Sequence, residues 1–330
     1  MPQPTARFRR RQLLAAALAA PLASAWPSLA QSAWPAQPVR IVVNFPPGSS
    51  PDVLARMVAA PLQQALGQPV VVENRAGASG MIGAEAVTKA TPDGYTLLMT
   101  AGSAITTNPF LYPKMPYDVE RDLTPVAAIA RIVLTLVVRA DLPARDVNEF
   151  LAYLKAHPGK LSYGSAGNAT GLHLAGEMLK NQAGVFAVHV PYRGASLALQ
   201  DLLGGQIDFY FDPGIAVQHV QAGRLRVLAI GGKRRSATYP NVPTLDEAGL
   251  AGFDAGTTHG LYAPTRTPPE VVMRLNREIN RILSTAAVRA QVEGLGAEAT
   301  PITVEQFATV MREDSRRYAE VIRRQGIKAD

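Results

Sequence analysis

No cysteine occurs anywhere in the 330 residues. That removes disulfides, thiolate metal sites and cysteine nucleophiles together. The chain also lacks G-x-S-x-G, H-E-x-x-H and G-x-x-x-x-G-K-[ST], although Ser and Gly are plentiful. Its five histidines, His157, His173, His189, His219 and His259, are scattered without ligand spacing, so no metal site, no cofactor and no catalytic centre are expected. Past the N-terminal segment no run approaches the ~18 uninterrupted apolar residues of a membrane span. No block of Lys and Arg interleaved with aromatics is present either, which argues against nucleic acid as a partner.

What remains is 47% apolar and 18% charged, the balance of a globular protein with ample core and length for two domains. The first 30 residues are of another kind. Arg7, Arg9, Arg10 and Arg11 precede the apolar run Leu13 to Ala20, and Ser28-Leu29-Ala30 offers small residues to a signal peptidase. Residues 1–30 are therefore expected to be a signal peptide cleaved near Ala30, giving an exported protein. Arg10-Arg11-Gln12-Leu13-Leu14 fits a twin-arginine signal as well as an ordinary secretory one. Loss of those four arginines takes the formal charge from +7 to +3, so most of the basicity belongs to the signal.

The stretch Asn44 to Arg56 organises the mature chain. It joins a buried-strand pattern (Val39, Ile41, Val42, Val43) to a helical one (Val53, Leu54, Met57, Val58, Leu62, Leu66). Pro46 and Pro47 stiffen the turn, Gly48 allows an unusual backbone angle, Ser50 is suited to capping and Pro51 to the first helical turn. A helix start of this kind presents unpaired N–H donors and partial positive charge, a ready seat for a carboxylate or phosphate. Pro61 is expected to kink or shorten the helix. A second small loop, Ala101-Gly102-Ser103, follows the strand ending at Thr100. The turn Ser165-Ala166-Gly167-Asn168-Ala169-Thr170 repeats the first design, with His173 in the following helical turn.

Strand and helix patterns alternate in the manner of parallel α/β units. Ile132 to Val138 reads as the strongest strand, and from Gly260 onward the chain reads as helical. Thr267-Pro268-Pro269-Glu270 and Thr303-Val304-Glu305-Gln306 both read as helix starts, the former as a capping box. Arg312, Arg316, Arg317, Arg323 and Arg324 read as a solvated face. The glycines at 77, 80 and 83 lack the dinucleotide-binding order and are assigned to close helix packing.

Many short stretches, in order, resemble one family. They include Asn44-Phe45-Pro46-Pro47-Gly48 with Asp52, Val71-Val72-Glu73-Asn74-Arg75-Ala76-Gly77, and Pro92-Asp93-Gly94-Tyr95-Thr96-Leu97-Leu98. Leu111-Tyr112-Pro113-Lys114-Met115-Pro116-Tyr117-Asp118, Tyr163-Gly164-Ser165-Ala166-Gly167 and Val190-Pro191-Tyr192-Arg193-Gly194 belong to the same set. So do Asp201-Leu202-Leu203-Gly204-Gly205-Gln206-Ile207-Asp208 and Val242-Pro243-Thr244. The family is that of the tripartite tricarboxylate transporter substrate-binding receptors, or Bug proteins, periplasmic solute-binding proteins of Gram-negative bacteria. The resemblance implies an α/β, two-domain, type II-like clamshell whose lobes are mainly parallel sheets flanked by helices. Residues 34–130 plus 256–330 would form one domain and 131–255 the other, with two crossovers.

The resemblance also implies a cleft site for a small organic carboxylate. Its expected residues are Phe45, Pro47, Gly48, Ser49, Ser50 and Asp52 from the first loop, and Ala101, Gly102 and Ser103 from the second. Ser165, Ala166, Gly167, Asn168, Thr170 and His173 from the third turn complete it with Tyr192, Arg193 and Asp212. A monomer is expected, with the membrane subunits of a tripartite tricarboxylate transporter as partner. The rival class is a periplasmic hydrolase with Ser165 or Ser103 as nucleophile and His173 as base. Asn44 and Ser49 stand where the family commonly has Pro and Gly, and Thr258-His259 where an aromatic pair is common.

Overall fold

The computed structural model describes residues 34–328, so the proposed signal peptide lies outside the described residues. Strand β1 (Val39–Val43) buries Val39, Ile41, Val42 and Val43 and pairs in parallel with β2 (Val70–Asn74) and β3 (Thr96–Thr100), Ile41 standing beside Val72 and Leu97. Helix α1 (Ser50–Leu66) joins β1 to β2. It runs through Pro61 unshortened to Gly67, whose φ of 71° closes it. Pro61 removes one intrahelical bond, and burial of Leu54, Val58 and Leu62 along one face outweighs that loss. Helix α2 (Met81–Thr88) leads into β3, and the short α3 (Ser103–Thr106), α4 (Asn108–Leu111) and α5 (Val119–Asp122) follow.

Strand β4 (Leu123–Ile132) belongs to this first sheet, whereas β5 (Thr135–Arg139) belongs to a second. The apolar run from Ile132 is thus not one strand: the chain changes sheets at Val133-Leu134. Continuous hydrophobicity conceals that bend because both sides of it are buried. The second sheet is built from β5, β6 (Ser162–Ser165), β7 (Val188–Pro191), β8 (Phe209–Asp212) and β9 (Leu225–Ile230). Helices α6 (Val147–Ala156), α7 (Gly171–Ala183), α8 (Ala195–Leu203) and α9 (Val217–Gln221) connect them.

The chain then returns to the first sheet as β10 (Thr257–Pro264), continues through α10 (Pro269–Leu283), α11 (Ala286–Gly294) and β11 (Ala297–Ala299), and ends in α12 (Val304–Gln325). Reading this return as helical misses β10, whose eight residues are all buried and show no alternation. Nor is Thr267 a cap: α10 starts after Pro268, and the Thr267 hydroxyl bonds the Pro264 carbonyl. The capping box at Thr303 and Gln306 is present.

The sheet orders are β11-β4-β10-β3-β1-β2 and β7-β6-β8-β5-β9. Both are mixed rather than mainly parallel. The strands that re-enter a sheet after a crossover, β10 beside β3 and β4, and β5 beside β8 and β9, all run antiparallel to their neighbours. Parallel pairing is confined to the βαβ units.

Both sheet-to-sheet passages are braced by charge. Arg131, near the end of β4, bonds Asp254, which lies just before β10. Arg317 of α12 bonds the carbonyls of Asp254 and Gly256 and the Asp314 carboxylate. Arg317 is therefore not part of a solvated face. Its helical position beside Asp314 and Tyr318 turns it inward, a placement that spacing among arginines does not reveal.

Candidate functional site

The C-terminal ends of β1 and β3, the start of β10 and the end of β6 converge. β10 joins them because Gly260 pairs antiparallel with Thr100, which sets Thr257 and His259 beside the loop that leaves β3. Between them lies a cavity of about 30 Å³. Its lining carries no Asp, Glu, Lys or Arg. Anything charged bound there would be held by backbone and hydroxyl groups.

On the first side, Phe45, Ser49, Ser50 and Pro51 line the cavity. Ser49, not Ser50, is the residue before α1, and its hydroxyl turns back to the Pro46 carbonyl at 2.6 Å. Ser50 is the first helical residue, and its Oγ lies 3.0 Å from His259 Nε2. Asp52 points away from the cavity. Its carboxylate accepts from Gly48 N–H at 2.9 Å, from Asn74 at 2.8 Å and from Arg56. Burial would raise the Asp52 carboxyl, but those bonds from Arg56, Gly48 and Asn74 bring it below the usual carboxylate range. Asp52 thus shapes the loop, leaving the α1 amides open. Asn44 is also structural: fully buried, it donates to the Gly80 carbonyl and to Thr100. A Cβ on Gly80 or Gly83 would lie 2.4 or 2.7 Å from Asn44, so these glycines do serve close packing.

From β3, Ala101 and Ser103 line the cavity, and Ser103 Oγ is buried with no hydrogen-bond partner. Gly102 holds φ 88° behind them, against the Thr258 carbonyl. On the far side Ala166, Thr170, Gly171 and Leu172 line the cavity at the start of α7. The Thr170 hydroxyl closes the turn onto the Gly167 carbonyl at 2.7 Å. Gly171 and Leu172 hold N–H groups that a helix's first turn leaves unpaired.

Ser165 is fully buried behind this turn. Its hydroxyl is shared among Gly167 N–H, the Gly167 carbonyl and His189 Nε2, the last at 2.7 Å. His173 is not beside Ser165 Oγ as a base. Its Nδ1 accepts from Ala169 N–H, and its ring stacks on His189 at 4.2 Å. Burial, the main cause, and the charge His173 can carry together lower His189 to about 3.

The remaining expected residues also lie outside the lining. Pro47, Gly48 and Arg193 are exposed, and Tyr192 donates to Asp201 at 2.7 Å. Asn168 turns its carbonyl to Ser79, whose hydroxyl donates to it at 2.5 Å. Asp212 is buried and accepts from Tyr210 and from the N–H groups of Gly214, Ile215 and Ala216. Burial raises the Asp212 carboxyl to about 6 against the pull of those bonds.

The lining also holds Pro51, Leu134, Gly171, Leu172, Ala195, Pro213, Thr257 and His259, none of them among the expected site residues. The unusual Thr258-His259 pair was the only available signal for β10.

Among the described residues, the contacts between the two sides of the cavity include two hydrogen bonds and one close approach. Ser79 meets Asn168, Thr107 donates to the Ala169 carbonyl at 2.8 Å, and Pro46 packs so close to Gly194 that a Cβ there would sit 2.9 Å from its ring.

The sequence matches the model of the tripartite tricarboxylate transporter family receptor over residues 54–327. Among solved structures it is similar to the periplasmic binding protein BugD, at 33% identity and TM-score 0.84, over 89% of this chain and 99% of that one. The R. palustris protein Rpa4515 with adipate gives 32% and 0.87, over 89% and 99%. MatC from Rhodopseudomonas palustris with bound malate gives 33% and 0.81, over 87% and 99%. Among the described residues no helix is long and apolar enough to cross a membrane. With the match covering every strand after β1 and every cavity loop after Pro51, this chain belongs to the tripartite tricarboxylate transporter family receptors, the periplasmic solute-binding proteins that include the Bug proteins.

Proposed function

We propose that the protein captures a small organic carboxylate between two lobes, residues 34–130 with 256–330 and residues 131–255, and releases it by opening. One observation carries this reading. The N-termini of α1, 17 residues long, and of α7, 13 residues long, open on the same uncharged cavity. Each helix start favours an anion through free N–H groups and the positive end of its dipole. Two of them facing one space suit an acid with a carboxylate at either end. The unpartnered Ser103 hydroxyl supplies a further donor.

A cavity of about 30 Å³ holds roughly two waters. Capture of an acid therefore requires the mouth to part and re-form around it, and the ligand must favour the closed form by contacts the open one lacks. Related structures solved with adipate and with bound malate support the ligand class. Export by the signal at residues 1–30, a monomeric state, and delivery to the membrane subunits of a tripartite tricarboxylate transporter, or sensing without one, complete the proposal.

The hydrolase reading finds its nearest geometry in Ser50 and His259, not in Ser165 and His173. Burial lowers His259 to about 3, which makes it a poor base near neutral pH, and no carboxylate orients its ring. Calorimetric titration of the purified protein with dicarboxylic, tricarboxylic, amino and aromatic acids tests the proposal. Saturable one-to-one binding of an acid is expected. Binding of none, or Ser50-dependent turnover of carboxylate esters, would overturn it.

A further inference from the structure

His259 lies in the cavity wall on β10, and its ring is engaged on both sides. Nε2 is 3.0 Å from Ser50 Oγ and Nδ1 is 3.4 Å from Thr257 Oγ1. The direction of each bond follows from counting hydrogens. Thr257 Oγ1 donates its only hydrogen to the Ala101 carbonyl at 2.9 Å, so toward the ring it can only accept. Nδ1 therefore bears the ring proton. In a neutral imidazole Nε2 is then an acceptor. Burial keeps the ring neutral. Ser50 Oγ must donate its hydrogen to Nε2, and what it has left for the cavity is lone pairs.

Ser50 also carries the backbone N–H at the first position of α1. The residue offers a donor and, beside it, an acceptor. The amide suits a carboxylate oxygen. The hydroxyl, held in this direction, repels one and needs an O–H or N–H opposite it.

The geometry points to a ligand that carries a hydrogen-bond donor on the carbon next to its carboxylate, an α-hydroxy or α-amino acid, read by Ser50 with His259 as the residue that positions its hydroxyl. This rests on the carboxylate reading above and adds the polarity of the neighbouring subsite. An unsubstituted acid leaves the Ser50 lone pairs facing nothing. A site built around a hydrogen bond to a substrate hydroxyl or amine discriminates strongly against the analogue without it.

The test is calorimetric titration with matched pairs: malate against succinate, 2-hydroxyglutarate against glutarate, and aspartate against succinate. At least one substituted acid should bind about tenfold or more tightly than its plain partner. Comparing aspartate with malate tells which donor is read. Ser50→Ala should bring the ratio toward one, chiefly by weakening the substituted acid. His259→Phe should do the same, because the Ser50 hydrogen loses its acceptor, whereas His259→Gln, which retains an acceptor oxygen, should preserve most of the preference. A merely structural role for His259 would weaken both members of a pair alike and overturn the assignment. So would an unchanged ratio in Ser50→Ala, or equal binding of all pairs by the wild-type protein. If the wild-type protein binds plain acids without preference, this inference falls and the carboxylate reading stands; if it binds no acid, both fall.

Discussion

His259 and His189 each hold a pKa of about 3 in the folded protein, far below the ordinary 6.5. Between those values the unfolded chain binds protons that the folded one refuses, so their contribution to stability is present near neutrality and lost as pH falls from about 6.5 toward 3. Asp212 acts in the opposite sense. Its folded pKa of about 6 exceeds the ordinary 3.8, so within that window the folded chain retains a proton that the unfolded chain has released, and its contribution falls as pH rises. Two deeply shifted histidines outweigh one carboxyl. The melting temperature should therefore drop between pH 7 and pH 4.5, and His259→Gln should melt with a shallower pH dependence than the wild type. Parallel profiles in thermal melts would show that His259 does not titrate this way. At this scale the place of Ser49, Ser50, Ala101 and Thr170 in the cavity wall was legible, because each sits at a strand-to-helix turn that is visible locally. It concealed His259, whose place depends on pairing with a strand some 160 residues earlier in the chain.

The elements were legible where the hydrophobic period and its punctuation agreed. Strand β1, helix α7 and the Thr303 start of α12 are of this kind, and Thr303→Ala should cost about 1 kcal/mol in denaturant unfolding by removing half of the capping box. Strand β10 was illegible because burial on both faces erases alternation. Helix α7 also shows what a glycine inside a helix does here. A Cβ on Gly176 would stand 2.2 Å from the Tyr163 ring, which stacks on His189 and whose hydroxyl donates to Glu177 at 2.6 Å. Gly176→Ala should destabilise the protein by about 1–3 kcal/mol through overpacking, where an ordinary helical site would gain from alanine. An unfolding free energy that rises in this variant would contradict the packing described.

For the whole molecule, the two sheets were foreseeable but their mixed character was not, since antiparallel re-entry is fixed by where the crossovers land. Those crossovers rest on Arg131, Asp254, Asp314 and Arg317. Arg317→Ala removes one of the two guanidiniums that face Asp254 and Asp314 and leaves Arg131 beside both, so about 1–3 kcal/mol should be lost, readable as a lower urea midpoint. The mouth of the cavity, by contrast, is held by single bonds suited to opening. Thr107→Val removes the hydroxyl that reaches the Ala169 carbonyl and should weaken ligand binding by about 0.5–1.5 kcal/mol with little effect on melting of the free protein. Equal losses in both would mean that Thr107 supports the fold rather than closure. The central claim is that an acid is held between two facing helix starts, and the most direct test is calorimetric titration of the purified protein with a graded series of dicarboxylates, with the monomethyl ester of each run alongside. Saturable one-to-one binding of at least one diacid is expected, with a marked loss when one carboxylate is esterified. Diacid and monoester binding equally well, or neither binding, would contradict it.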